Sequence, residues 1–221
     1  MKHAYILFII LFFISCTNEE QIQTDTAIGY FSISNLSLSC DEEILPLTRS
    51  VDAALQLQIC QGEEVIKEYA PGDDLSKRIV LPVGTYTLKA FTPDQSEAAN
   101  DEIGIPVYEV ISPFEVREGD IASISLVVPQ INVGVSVNVS DEFKANFHNL
   151  SVTITSVSGR SITISDVGTS SPYYYFAIPS DGKLKYTVTA YNADDEEMTL
   201  DKEIVSINLA KNYSIYLDLP N

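Results

Sequence analysis

The 221-residue chain holds two histidines, His3 and His148, and this scarcity limits the chemistry open to it. A multi-histidine zinc centre needs more imidazole than that, and any serine or cysteine triad would have to use His148. Set between Phe147 and Asn149, His148 reads as a partly buried residue at a strand entry. There is no G-x-S-x-G, no phosphate loop and no metal-spaced His/Cys cluster. Carboxylates are abundant, with 31 Asp and Glu against 13 Lys and Arg. A pair of them could cleave a glycosidic bond, but acids grouped in loops (Asp41-Glu42-Glu43, Asp73-Asp74, Asp101-Glu102, Asp194-Asp195-Glu196-Glu197) produce such pairs by chance. None has the spaced D-x-D-x-D-G of a calcium loop. The expectation is a protein that is not an enzyme, with no metal and no cofactor. The densest aromatic stretch, Tyr173-Tyr174-Tyr175-Phe176, puts Tyr173 and Tyr175 on one face of a strand and Tyr174 and Phe176 on the other. One pair should be core. The other could stack on a sugar ring or on a partner's aromatic side chain.

The reactive thiol is at the start. Met1-Lys2-His3 is basic and Ala4 to Ile14 is an unbroken apolar run, too short for the roughly 20 residues that span a bilayer, so residues 1–15 read as a signal peptide. Phe13-Ile14-Ser15-Cys16 resembles a relaxed bacterial lipobox, in which the cysteine is diacylated and becomes the first residue of the mature chain. Two or three acyl chains hold a protein to a membrane that one chain holds only marginally. The acids Glu19 and Glu20 directly after it resemble the export signal of Bacteroidales-type surface lipoproteins, and Asp25-Thr26-Ala27 resembles an O-glycosylation motif of the same bacteria, with Thr26 as acceptor. Residues 16–27 are then a lipidated tether, and the address is the outer membrane, facing outward. A formal charge of −18 repels phosphate backbones and argues against nucleic acid.

Cys40 and Cys60 remain as an even pair in an oxidising compartment. If the first two strands were antiparallel neighbours the two would lie roughly 23 Å apart, well beyond the alpha-carbon limit of about 7 Å. A disulfide is open only if those strands are not direct partners.

Strands must position everything else. Leu55, Leu57 and Ile59 alternate with Gln56 and Gln58, and Val133, Val135, Val137 and Val139 alternate with Gly134, Ser136 and Asn138. Such period-two patterns recur, while no helical face persists for three turns. Asp141 to Phe147, capped by Ser140, is the one helical candidate. The first strand changes phase between Phe31/Ile33 and Leu36/Leu38, which predicts a bulge. An internal echo is visible: Leu81-Pro82 leading to Tyr86, Leu88 and Ala90 is repeated by Ile178-Pro179 leading to Tyr186, Val188 and Ala190, and Phe114 to Leu126 by Ile204 to Leu217. A phase slip at Pro129-Gln130 divides the two. The expected fold is all-β, with two tandem β-sandwich domains over 28–129 and 130–221, and with long segments Cys40 to Ser50 and Thr92 to Ile103 left for variable contacts.

Thr48-Arg49-Ser50-Val51-Asp52, Leu81-Pro82-Val83-Gly84-Thr85-Tyr86, Ile105-Pro106-Val107-Tyr108, Phe114-Glu115-Val116 and Ile131-Asn132-Val133-Gly134-Val135 with Ser140-Asp141 and Phe143 resemble, in that order, a Bacteroidales lipoprotein family described as a domain of unknown function. Its architecture is similar to that of fimbrillin-like pilins and their anchor subunits, lipoproteins of two transthyretin-like sandwiches. The resemblance implies a surface lipoprotein of fimbrial or adhesive type, with other surface or fimbrial proteins or glycans as partners. Glycan binding for an uptake system is the alternative, and an orphan hydrolase a distant third. It also implies a role for Arg49, the sole basic residue from Thr17 to Ile66. In such pilins a trypsin-like protease cuts after an arginine following the first strand, and another subunit's strand fills the groove.

Because acylation requires the thiol, Cys16→Ala should move the protein from the detergent phase to the aqueous phase and abolish labelling by a fatty-acid analogue. Unchanged detergent partitioning would defeat the lipoprotein assignment.

Overall fold

Alternating apolar and polar residues give each strand one face that must leave water, and sheets built this way stack in pairs. The computed structural model describes residues 26–40, 43–46, 55–165 and 167–219. Cys16, Glu19, Glu20 and Arg49 lie outside them. The described chain is nearly all β. Its first part holds β1 (Ile28–Cys40), β2 (Glu43–Pro46), β3 (Gln56–Gln61), β4 (Glu64–Tyr69), β5 (Ile79–Pro82), β6 (Gly84–Phe91), β7 (Glu109–Val116) and β8 (Ile121–Pro129). Then come β9 (Val133–Val139), the helix α1 (Asp141–Asn146), β10 (His148–Ser156), β11 (Ser161–Ser165), β12 (Tyr174–Phe176), β13 (Lys183–Tyr191), β14 (Glu197–Val205) and β15 (Tyr213–Leu217).

Strand for strand, the two parts repeat one order. The sheet β4-β3-β6-β7 matches β11-β10-β13-β14, and β5-β1-β8, extended by β2, matches β12-β9-β15. In each part the first and last strands, β1 with β8 and β9 with β15, run parallel. Each pair of sheets encloses its own hydrophobic cluster. Phe31, Leu57, Ile59, Tyr86, Leu88 and Phe114 belong to the first, and Val135, Val137, Ile154, Ile162, Phe176 and Val188 to the second. Tyr86 and Phe114 sit opposite one another on β6 and β7, their ring centroids 5.5 Å apart, and Phe31 closes on Phe114 at 4.5 Å.

The phase change in β1 is a register shift between Ile33 and Asn35 against β8. The bulge lets Phe31 and Leu36 both face inward, one before it and one after. Helix α1 forms where the sequence pattern places it: Ser140 caps it by accepting from the Phe143 amide, and Phe143 packs on Phe147 with centroids 4.8 Å apart.

The question left open by the sequence is answered by the pairing: β1 does not pair with β3, which lies in the opposite sheet, and Cys40 and Cys60 are not joined. Cys40 ends β1 beside the junction, while Cys60 pairs with Thr87 near the opposite end of the sandwich. The segment after Cys40 contains β2, which continues the sheet along β1. His148 does open a strand, but its side chain is 46% exposed and meets Asp195 at 3.0 Å.

The repeat also offers an internal contrast. By register Phe114 on β7 corresponds to Lys202 on β14, each opposite a tyrosine, and Leu200 beside Lys202 is 42% exposed. Phe114→Ala should therefore cost about 3–5 kcal/mol of stability by opening a cavity in the aromatic stack. Leu200→Ala should change the urea midpoint by well under half as much. Equal losses would mean that β14 is buried as β7 is.

Candidate functional site

The two sheet pairs meet without a linker, and polar residues gather there into one hydrogen-bonded site. Gln130, 1% exposed, is placed by the end of β8: its amide donates to Ser39 O at 3.0 Å and its carbonyl accepts from Ala210 N at 2.9 Å. Its side-chain Nε2 donates to Asn132 O at 2.9 Å and to Asn212 Oδ1 at 3.0 Å. The same Asn212 oxygen accepts the Gly134 amide at 2.7 Å, while Asn212 Nδ2 donates to Cys40 Sγ at 3.1 Å. Gly134 leaves room for this contact, since a Cβ there would come within 2.5 Å of Asn212 Oδ1 and displace that side chain. Asn132 completes the hub, accepting from Val107 N at 2.9 Å and donating to Ile105 O at 2.8 Å. Buried amides at a junction must be paired, and these side chains pair them.

A strap crosses from one sheet pair to the other. Residues 92–108, between β6 and β7, leave the first pair and lie along β11 and β12, the terminal strands of the two sheets of the second. The Ser161 and Thr163 amides of β11 donate to Asn100 Oδ1 and Asp101 Oδ1 at 3.0 and 2.9 Å. Tyr175 N donates to Ile103 O and Ala177 N to Glu97 Oε1, at 2.9 and 3.0 Å. Asp101, at φ 61, and Gly104, at φ 75, supply the left-handed turns that fold the strap back.

Arg160, at the β10–β11 turn, holds the strap from beneath. It is 4% exposed. One guanidinium nitrogen donates to the carbonyls of Ala98 and Ala99, and the other to Glu102 O at 2.7 Å. The cation lies over the Phe176 ring, 5.0 Å from its centroid. Burial pushes the guanidinium below its ordinary pKa, with Glu97, Glu102 and Asp101 pulling the other way. An arginine stays charged through this at neutral pH. Between strap and body lies a cleft of about 130 Å³, lined by Ile105, Val107, Ile131, Asn132, Tyr175 and Ile178 among others.

The residues anticipated from sequence are thus dispersed. Tyr173 precedes β12 and is 39% exposed. Tyr174 and Phe176 face the second core, and Tyr175 turns into the cleft, so Tyr173 and Tyr175 do not form an open aromatic platform. Thr26 is exposed just ahead of β1. Among the described residues no group of three or more His, Cys, Asp or Glu could hold a metal ion. The segment Thr92 to Ile103, expected as a variable contact loop, is instead committed to the junction. Arg160 has no sequence signal of its own, since a single arginine after Ser158-Gly159 reads as turn solvation.

Over residues 29–221 the chain matches the family described as Domain of unknown function (DUF4493), and it belongs to that family. No curated protein matches it. Among solved structures it is similar to a candidate adhesin of Bacteroides ovatus, at 8% identity and TM-score 0.44, covering 89% of this chain and 95% of that one. It is also similar to a candidate polysaccharide-binding protein (DUF1812) of Bacteroides thetaiotaomicron, at 8% identity and TM-score 0.49, with 85% and 90% covered. A fimbrial protein of Bacteroides ovatus is similar at 11% identity and TM-score 0.47, with 87% of this chain and 49% of that one covered. No residue role passes from these proteins to this chain at such values.

If Asn212 Oδ1 organises the junction, Asn212→Ala should cost about 1–3 kcal/mol by orphaning the Gly134 and Gln130 donors. Asn212→Asp, which retains the acceptor, should recover most of that. Denaturant melts of both variants test this, and equal losses would mean that Oδ1 does not by itself organise the junction.

Proposed function

We propose that the protein is a non-enzymatic, lipid-anchored surface protein of adhesive or fimbrial type, made of two tandem transthyretin-like domains over 28–129 and 130–221 behind a signal peptide and a tether. The observation that carries this reading is the direction of the chain. Because β1 runs parallel to β8 and β9 to β15, the chain enters each sheet pair at one end and leaves it at the other. With acyl chains on Cys16, Glu19 and Glu20 as export signal and Thr26 as an accessible glycosylation acceptor, that layout sets the second pair farther from the membrane than the first. The scarcity of histidine and the absence of a nucleophile motif support a binding role over catalysis.

The fimbrial version of this reading adds cleavage after Arg49. The cleft lined by Tyr175, Asn132 and aliphatic residues favours a second version, in which a glycan is held for uptake.

Cells lacking the gene should lose attachment or surface fibres and keep growth on every glycan tested. In wild-type cells with an active surface trypsin-like protease, a species beginning at Ser50 identifies the fimbrial version. A growth defect confined to one glycan, with attachment intact, would replace adhesion by uptake.

A further inference from the structure

We propose that Arg160 is a latch that welds the two sheet pairs into one cooperative body, with the 97–103 strap serving as the cover of two otherwise open sheet edges. The inference does not depend on the adhesive reading.

Its first support is the repeat. The connection between β6 and β7 corresponds to that between β13 and β14, since both join the third and fourth strands of equivalent sheets. In the second pair this connection is the tight turn 192–196, closed by Asn192, whose Oδ1 accepts from the Asp194 and Glu196 amides. In the first pair the same connection is the long strap 92–108. The extra chain occurs where a further sheet pair follows, and it lies on that pair.

Its second support is the partners the strap chooses. β11 and β12 are terminal strands, and terminal strands present amides that recruit foreign chains. The strap takes those of Ser161, Thr163 and Tyr175 with two side-chain oxygens and one carbonyl, so that these edge amides are already satisfied. It returns one bond, Asp101 N to Ser161 O at 3.1 Å. The strap itself has no long regular structure, so something must hold its shape. Arg160 does so by gathering three carbonyls, of Ala98, Ala99 and Glu102, on one guanidinium. Glu97 pins the start of the strap through Ala177 N and Ser158 Oγ, the latter at 3.1 Å.

The third support is a cost that is tolerated. Among the described residues Arg160 Nε is the one buried side-chain nitrogen or oxygen without a partner. A buried cation with an orphan donor is worse for the second core than an apolar residue of similar length would be. The return for it lies across the junction, in the strap.

The test is amide exchange on the intact chain, read at Ser161, Thr163 and Tyr175 and, as internal reference, at Val188 in the middle of β13. Arg160→Met keeps the length and the contact with Phe176 but removes the donors. Exchange at the three edge amides should rise on the order of tenfold or more with Val188 unchanged, and the variant should melt in two transitions where the wild-type chain is expected to melt in one. Glu97→Ala, exposed and outside both cores, should shift the same amides in the same direction by less, and it decides the matter if Arg160→Met does not fold. The proposal is overturned if the edge amides keep wild-type exchange in both variants. It also fails if Val188 accelerates as much as they do, because Arg160 would then be only a core residue of the second pair.

Discussion

The parallel pairing of first and last strands is the constraint from which the rest of the molecule follows. Parallel strands cannot be joined by a tight turn, so the chain must pass through the opposite sheet between them. β1 therefore finds β8 only after β3, β4, β6 and β7 have been laid down, and β9 finds β15 in the same way. A large share of each core is held by contacts distant in sequence, which makes each pair slow to assemble and cooperative once formed. It also makes each pair a segment with an entrance and an exit at opposite ends, and segments of that kind add end to end without a linker.

End-to-end addition creates a hinge unless something resists it. The junction could have been closed by apolar contact, but the polypeptide there is backbone in transit, full of amides and carbonyls that cannot be left dry. Gln130, Asn132 and Asn212 answer the amides, and Arg160 answers the carbonyls of the strap turn. The division of labour is chemical: carboxamides carry both donor and acceptor and suit mixed backbone edges, whereas a guanidinium donates only and suits a turn whose carbonyls converge. In a chain of formal charge −18 a buried cation is also one of few local counterweights to Glu97, Asp101 and Glu102.

The two pairs share an order of strands without sharing an end use. Around Tyr86 the first pair builds a three-ring stack, and β7 is closed by Phe114 and Val116. Around Tyr186 the second pair offers Lys202 in place of the phenylalanine, and both faces of β14 are largely exposed. The first pair is thus the more fully closed. The second presents α1, the His148–Asp195 contact and the acidic 194–197 turn at the end remote from the junction.

Much of this was legible in the amino-acid order, because burial of one strand face imposes a period of two. The strands around Leu57, Val135 and Val188, the bulge after Ile33, the Ser140 cap, the slip at residue 130 and the echo of Leu81–Ala90 in Ile178–Ala190 all follow from local pattern, and the histidine count alone narrows the chemistry. Pairing partners did not follow, since alternation states which face is buried and not which strand lies alongside. β1 beside β8 rather than β3, and hence the separation of Cys40 from Cys60, were decided only by the tertiary structure. The junction was equally invisible. Residues 92–105 have no period because they satisfy another element's edge, and Arg160 has the sequence context of a surface turn. Its burial depends on carbonyls about sixty residues away in the chain, supplied by a strap whose place is known only once both sheet pairs are assembled.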